Sequence, residues 1–339
     1  MPFRGSFFSS IREDYMKRIF ILILTLCVPL FASEKQSYFD TKFLAQSDAV
    51  RQQLVEKEGF VEGFFSSSDG VRLNYLWLSR PDARCTVICS SGFWPGRKEG
   101  MATLYELLPA DCNILLFDAR GHGVSEGSLW RNLLQYGAHE YKDIEGAVQW
   151  AHEQSSKPIV LFGVCAGAFH ATHAVYHMQK QQLVEQYDVR GLIFDSGWSS
   201  LTNIVPTALS GEWKKRMMKR VKTAPSIVQR GVQLAVVLPV SFLIQITTPP
   251  LVWLSVSKKA HEANLVSKID IVQMPILYMH SEDDSFAPIK PVKQLADKTK
   301  HAHTWWITEP STHACHHIKH AQAYKGKLKQ FIDTVVPAT

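Results

Sequence analysis

The stretch Pro158–His170 constrains the fold of this chain more than any other. Its first part, Ile159–Phe162, is a short apolar run typical of a strand that is buried on both faces, as parallel strands are. Gly163-Val164-Cys165-Ala166-Gly167 follows, and then a segment of helical character that extends to about Gln181. We therefore predict a strand, a tight turn and a helix, with Cys165 at the apex of the turn.

The two glycines of this turn explain how its apex would become accessible. A turn this tight leaves no room for side chains two residues before or after the apex, and its strained backbone lifts the apex off the sheet edge. The apex then lies at the positive end of the following helix. This placement indicates that Cys165 is a nucleophile. A buried cysteine in an ordinary strand–turn–helix is the alternative that this stretch alone leaves open.

Length and composition indicate one large globular domain. The chain has 339 residues, of which 46% are hydrophobic and 20% are charged, and these fractions are ordinary for a soluble protein. About 300 residues remain once an N-terminal segment is set aside, enough for an α/β domain with an insertion. The net charge is +6, but we interpret the basic residues as dispersed and expect no nucleic-acid partner. The sequence contains no G-x-G-x-x-G motif, and we expect no cofactor.

Residues 1–33 are predicted to lie outside the fold. Basic residues precede the uncharged apolar run 19–31, and small residues follow it at Ala32. This order is typical of a secretory signal peptide. An uncleaved membrane anchor formed by 19–31 is the alternative, although the run is short for a span, and Met16 is an alternative start. Either reading predicts an exported protein, periplasmic or extracellular, with 34–57 as a linker or N-terminal helix.

Apolar runs separated by turn residues predict eight strands. The first two form an antiparallel hairpin, and helical segments separate most of the later ones; the predicted strands are 59–66, 71–78, 85–89, 113–117, 159–162, 189–194, 275–279 and 304–307. The main helices between and after them are 98–108, 140–155, 166–181, 288–298 and 317–335. Such alternation favours a mostly parallel sheet with helices on both faces. Cys85 and Cys112 begin two candidate strands, and these thiols would pair if the strands are neighbours.

Three more motifs give the chain a resemblance to the α/β-hydrolase superfamily. Asp118–Gly127 reads D-x-R-G-H-G-x-S-x-G and resembles the loop after the fourth strand of many members. Pro275–Pro288 resembles the family's strand and acid loop, and Ser311–Ala314 resembles its histidine loop. Nucleophile, acid and histidine also follow one another in the order of that fold. The resemblance implies an α/β-hydrolase domain over 58–339, and it does not fix a substrate.

Carried onto this sequence, the resemblance implies a catalytic triad. Cys165 would be the nucleophile, His313 the general base and Asp284 the acid that orients the histidine. Asp284 is preferred to Asp283 because its distance from the following proline matches the family. Asp195, at the end of the preceding strand, is the reserve acid.

An oxyanion hole would use the backbone N–H groups of Ala166 and Phe93. Many members of the superfamily have His-Gly at the end of the third strand, where this chain has Ser91-Gly92. Backbone donors survive such a change, so the hole is still expected.

The cysteine is the larger departure from the superfamily, most of whose members use serine. Dienelactone hydrolase is similar in having G-x-Cys-x-G, so the change is compatible with catalysis. A thioester intermediate suits activated esters, lactones and thioesters better than amides. We therefore predict hydrolysis of an ester or thioester with an apolar acyl part. The alternative is a non-catalytic, acyl-binding protein on a degenerate hydrolase scaffold.

Two other segments carry distinctive residues. Histidines and Cys315 cluster between His313 and His320. We interpret the histidines at 316, 317 and 320 as the start of an amphipathic last helix with one solvated face, and we expect no metal site. The segment 198–272 is predicted to be an inserted lid, in which a basic helical face at 214–222 precedes the uncharged, mostly apolar run 231–257. The flanking strands belong to one sheet, which argues against a single membrane span. We expect this run to be buried, with contact to a membrane surface through the lid or the N-terminal segment as the alternative.

Overall fold

The computed structural model describes residues 44–92, 96–128, 139–255, 264–284, 286–309, 311 and 313–337. An eight-stranded sheet lies at its centre, made of β1 Val61–Ser66, β2 Arg72–Leu78, β3 Cys85–Ser90, β4 Cys112–Phe117, β5 Ile159–Val164, β6 Val189–Asp195, β7 Ile276–Ser281 and β8 Ala302–Ile307. The strand order is β1-β2-β4-β3-β5-β6-β7-β8. β2 is antiparallel to β1 and β4, and all other neighbours are parallel. The predicted mostly parallel, eight-stranded sheet is confirmed.

Helices connect and flank these strands. They are α1 Leu44–Glu58, α2 Ala102–Tyr105, α3 Tyr141–Gln154, α4 Ala166–Lys180, α5 Leu183–Gln186, α6 Leu201–Arg220, α7 Ser226–Val232, α8 Leu238–Ser255, α9 Ile289–Lys298, α10 His316–Lys319 and α11 Ala321–Val335. The helix predicted over 98–108 is broken, because a 3₁₀ turn, Lys98–Met101, precedes the single turn of α2. The prediction for residues 1–33 lies outside the described residues.

Two apolar cores cover the two faces of the sheet. Successive side chains of β5 point to opposite faces, so Leu161 packs on one side with α3 and α4, and Phe162 packs on the other side with α1 and α11. All six residues of β5 are buried. A fully buried side chain of this size contributes about 1.5–3 kcal/mol relative to its exposed state. The strand that precedes Cys165 is therefore among the most firmly held parts of the fold.

The Asp118–Gly127 motif has a structural role. The Arg120 guanidinium bridges two carboxylates, with its Nη2 2.6 Å from Asp69 Oδ1 and its Nε 2.8 Å from Asp143 Oδ1. Asp118 is fully buried and accepts both the backbone N–H and the ammonium group of Lys98, at 2.7 and 2.9 Å. Buried charges are tolerated where they are paired in this way. The motif thus ties the loop after β4 to the β1–β2 turn and to α3.

The inserted segment after β6 differs from the expectation of burial. α6 and the continuous helix α7–α8, which contains a π-type turn at Gln233–Val237, form a helical hairpin. Among the described residues one helix, Ser226–Thr248, is long and apolar enough to cross a bilayer, and almost none of its most apolar stretch is buried. Only one face of this helix packs against α6. The expectation that the whole run would be buried in the core is therefore wrong.

Candidate active site

Cys165 lies at a sharp turn between β5 and α4. Its backbone has φ 57° and ψ −116°, a conformation that is strained for a residue with a side chain, and its N–H donates to the Asp195 carbonyl at 2.8 Å. A Cβ on Gly163 would lie 2.5 Å from the Ala168 backbone, and one on Gly167 would lie 2.1 Å from the Ser90 carbonyl oxygen. Both positions therefore require glycine.

Three side chains from distant parts of the chain meet at this turn. The Sγ atom of Cys165 is 3.1 Å from Nε2 of His313, and Nδ1 of the same imidazole is 2.8 Å from Oδ2 of Asp284. Asp284 is buried, whereas Cys165 and His313 are partly accessible. This is the geometry in which a histidine exchanges a proton with a nucleophile while a carboxylate holds its other nitrogen.

The loop after β7 holds Asp284 rather than Asp283 towards the histidine. Oδ1 of Asp284 accepts the backbone N–H groups of Phe286 and Ala287, each at 2.9 Å, which leaves Oδ2 for His313. Burial raises the pKa of Asp284, but the hydrogen bond from His313 and its charge outweigh burial and lower the pKa. Asp283 instead accepts the Ser281 hydroxyl and a backbone N–H of the histidine loop.

The charge state of His313 follows from its two partners. Burial lowers the pKa of His313, but the negative charge of a Cys165 thiolate and the hydrogen bond to Asp284 more than offset it, and the pKa is raised above its ordinary value. An imidazolium between a thiolate and a carboxylate is the arrangement that this shift favours.

Of the two predicted oxyanion-hole residues, the structure describes Ala166. Ala166 is the first residue of α4, so its N–H has no acceptor within the helix and points out at the positive helix end. Phe93 lies outside the described residues. Gly92 lies beside the nucleophile, since a Cβ at this position would be 3.5 Å from Sγ of Cys165. The absence of a side chain at Gly92 leaves space beside the thiol.

A second buried polar network adjoins the triad and was missed by the sequence prediction. His316 accepts or donates at both ring nitrogens, with Nε2 2.8 Å from Ser196 Oγ and Nδ1 2.6 Å from Ser311 Oγ. Asp195 receives the hydroxyl groups of Ser196, at 2.7 Å, and of Tyr324, at 2.6 Å. The reserve acid therefore contacts Tyr324, and its Oδ1 also lies 3.3 Å from Nε2 of His316. His316 is fully buried, whereas His317 and His320 are partly accessible.

This network fixes the position of the histidine loop. The Ser196 hydroxyl accepts the backbone N–H of Ala314 at 3.2 Å, and both residues have positive φ, 53° and 54°. The network joins parts of the chain that are far apart in the sequence, since Ser196 and His316 are 120 residues apart. A polar pair at the end of β6, Asp195-Ser196, was the one local signal for it.

An aromatic surface adjoins the imidazole. The ring centroid of Phe286 is 4.6 Å from that of His313, and Trp198 contacts Phe286 edge-on at 6.5 Å. Trp198 in turn stacks on Phe169 of α4. Phe286 remains 38% exposed, so part of this aromatic surface beside His313 is accessible to solvent. In the part of the chain that the structure describes, no cluster of side chains suited to a metal ion is present.

Fold and site geometry define an α/β-hydrolase enzyme. Residues 81–317 match the model of the serine aminopeptidase family S33, and the chain belongs to this family. It is also 21% identical, over 291 residues, to the uncharacterized protein YqkD of Bacillus subtilis strain 168, a similarity that covers 85% of this chain and 83% of that protein.

Solved structures resemble the fold at low sequence identity. An esterase of Pyrococcus furiosus is 18% identical with a TM-score of 0.56, over 82% of this chain and 91% of the esterase. A membrane phospholipase A, described as a bacterial virulence factor, is 15% identical with a TM-score of 0.56, over 95% and 100% of the two chains. The proline iminopeptidase of Mycobacterium smegmatis is 12% identical with a TM-score of 0.55, over 81% and 98%. At these identities the likeness shows the fold alone.

Proposed function

We propose that this enzyme hydrolyses esters or thioesters with an apolar acyl part, by nucleophilic catalysis through Cys165, His313 and Asp284. The observation that carries the proposal is the continuous chain of contacts from thiol to imidazole to buried carboxylate, at 3.1 and 2.8 Å. The strained backbone conformation of Cys165 costs about 1–3 kcal/mol of stability, and such strain occurs mainly at functional sites. This favours a catalytic cysteine over a degenerate scaffold.

The reaction would proceed in two steps. The Cys165 thiolate attacks the acyl carbonyl, the carbonyl oxygen takes the negative charge beside the Ala166 N–H, and His313 protonates the leaving alcohol or thiol. This step breaks the substrate's acyl bond and leaves a thioester on Cys165. In the second step His313 removes a proton from water, and the resulting hydroxide attacks the thioester carbonyl. The C–S bond then breaks, which releases the carboxylic acid and returns Cys165 to the thiolate beside the imidazolium. Asp284 keeps Nδ1 of the imidazole in place and stabilises its charge in both steps.

Leaving-group chemistry favours esters over amides. The tetrahedral intermediate formed by a thiol returns to substrate easily, because a thiolate is a much better leaving group than an amine. Alcohols and thiols are better leaving groups than amines, so a tetrahedral intermediate formed from an ester or thioester more often goes on to the acyl-enzyme. The aromatic surface of Phe286 and Trp198 supports an apolar acyl group. Among the similar structures, one is named an esterase and another a phospholipase, which agrees with an acyl-ester substrate.

The triad is tested by substitution and ester turnover. We expect Cys165→Ala and His313→Ala to abolish hydrolysis of short-chain p-nitrophenyl esters, and Asp284→Asn to lower kcat by about 10³–10⁴-fold. Asp283→Asn is the matched control, since this neighbouring carboxylate does not contact the imidazole in the hydrogen bonds described above, and we expect it to retain most activity. The acid assignment is wrong if Asp283→Asn is the damaging change and Asp284→Asn is silent.

Thiol labelling separates an enzyme from a non-catalytic acyl-binding protein. We expect iodoacetamide to label Cys165 selectively and in a His313-dependent way. Cys315→Ala is the control, because this second partly accessible thiol lies two residues after His313. A wild-type protein inert to acyl esters and to thiol probes would support the binding scaffold and contradict the proposal.

A further inference from the structure

The helix α7–α8 exposes an apolar face that no described part of the protein covers. Leu234, Leu238, Phe242 and Ile246 recur every four residues and therefore line one side of the helix, with exposures of 59, 48, 68 and 53%. Leu243 extends the same face. Soluble monomeric proteins rarely expose a contiguous apolar patch of this kind unless it contacts a partner.

Three polar side chains of the helix make hydrogen bonds within the hairpin. The Thr247 hydroxyl donates to the Leu243 carbonyl at 2.9 Å, and the Gln245 amide donates to the Ser210 hydroxyl at 2.8 Å. At the hairpin turn, the Gln229 amide donates to the Ala224 carbonyl at 2.8 Å. Hydrocarbon accepts polar groups only where their hydrogen bonds are made within the protein, so the face suits an apolar medium.

The hairpin also carries the charge excess of the whole chain. Seven of the 37 basic residues but one of the 31 acidic residues lie within 201–255, which leaves thirty of each sign elsewhere. The net charge of +6 thus belongs to this segment, and the interpretation of the basic residues as dispersed is wrong. Its basic side chains include four that are exposed, Lys214, Arg220, Lys222 and Arg230. The partner that this surface fits is therefore apolar and negatively charged.

Topology limits how the hairpin can meet such a partner. It leaves the sheet after β6 and returns before β7, and these strands are neighbours, so an odd number of membrane crossings is excluded. Trp198, Leu201 and Ile204 are buried and anchor the base of the hairpin in the core. A second copy of the chain is a poor fit, because two such faces would also bring together two surfaces of like charge.

We propose that the hairpin 201–255 docks onto the surface of an anionic phospholipid bilayer. The apolar face of α7–α8 enters the boundary between headgroups and acyl chains, and the basic residues contact lipid phosphates. This docking does not depend on the chemistry proposed for Cys165.

Hydrogen–deuterium exchange of the full chain tests the proposal. The readout is confined to peptides covering 226–248, since the apolar run 19–31 could itself bind membranes. We expect these peptides to gain protection on vesicles of phosphatidylglycerol and phosphatidylcholine, to lose it at high salt, and to gain little on pure phosphatidylcholine. No protection on the anionic vesicles would overturn the proposal. Protection that rises with protein concentration without lipid would indicate a second copy, and would also overturn it.

A charge-matched pair of variants sharpens the test. Replacing Lys214, Arg220, Lys222 and Arg230 by Gln should weaken vesicle-dependent protection at least about tenfold. The control replaces four exposed lysines outside the hairpin by Gln, namely Lys157, Lys290, Lys298 and Lys325. It removes the same charge and should change protection little. An equal loss in both variants would show only general attraction to anions and would contradict a hairpin site.

Discussion

At the scale of single residues, the contact between Cys165 and His313, at 3.1 Å, decides the charge of the imidazole. The thiolate raises the pKa of His313 against the effect of burial, so the imidazolium persists as the pH rises through the ordinary value for histidine. An ordinary cysteine reacts only near its own pKa of about 8.5, because the thiolate is the nucleophile. A thiolate held by an imidazolium is available at lower pH.

We therefore expect Cys165 of the wild type to be alkylated by iodoacetamide at pH 6. In His313→Ala the positive charge is gone, and alkylation at that pH should fall by at least about tenfold, with the rate recovering only towards pH 8.5. The measurement is the alkylation rate from pH 5 to 9, followed by mass spectrometry of the Cys165 peptide. Superimposable profiles for the two proteins would mean that no ion pair forms.

At the scale of elements, the turn between β5 and α4 depends on the close approach of α4 to β3. Gly167 of α4 faces the Ser90 carbonyl, the last residue of β3, and a Cβ there would be 2.1 Å from that oxygen. Both sides of this contact belong to the backbone, so no flexible side chain can move aside to make room for the Cβ. The turn is thus held by backbone packing as well as by the buried strand beneath it.

Gly167→Ala should lower the free energy of unfolding by at least about 2 kcal/mol, because overpacking at a backbone contact cannot relax. Gly326→Ala is the control. Gly326 also lies within a helix, α11, but nothing is within 4 Å of its added Cβ, so this change should stabilise the protein by about 0.5–1 kcal/mol. Urea unfolding of both variants measures the difference. A Gly167→Ala protein as stable as the wild type would contradict the packing argument.

The elements were largely predictable because their signals are local. Apolar runs between turn residues predict all eight strands. The order and spacing of the motifs predict a catalytic triad of Cys165, His313 and Asp284. The buried contacts of His316 were not predictable, since they depend on Ser196, 120 residues earlier in the chain. Hydropathy likewise could not distinguish a buried run at 231–257 from an exposed one, because an apolar helix has the same composition in a protein core and against lipid.

At the scale of the whole molecule, the inserted hairpin and the nucleophile lie at the same edge of the sheet. Parallel strands β5 and β6 end there, at Val164 and Asp195, and the hairpin begins shortly after β6. A bilayer docked on the hairpin would therefore face the edge that carries the thiol. The two proposals remain separable, because soluble esters report on the triad and hydrogen exchange reports on the hairpin.

The redox state of two buried thiols should depend on the compartment in which the protein folds. Cys85 and Cys112 are register partners on β3 and β4, and their sulfur atoms are 2.9 Å apart. All cysteines in the described residues are free, but this pair needs only a small shift to reach the disulfide bond length of about 2.05 Å. The hydrogen bond with Cys112 and burial raise the pKa of Cys85, so the thiolate needed for exchange is suppressed once the sheet has formed.

We therefore expect the bond to form during folding and not afterwards. Refolding with oxidised glutathione should join Cys85 to Cys112, the two thiols giving their hydrogens to glutathione disulfide, whereas the native reduced protein should stay reduced in the same buffer. The closed loop should add about 3–4 kcal/mol to stability, and Cys112→Ser, which cannot form the bond, is the control. Peptide mapping without reductant and thermal unfolding are the measurements. Oxidation of the native protein as fast as during refolding would contradict the argument from burial.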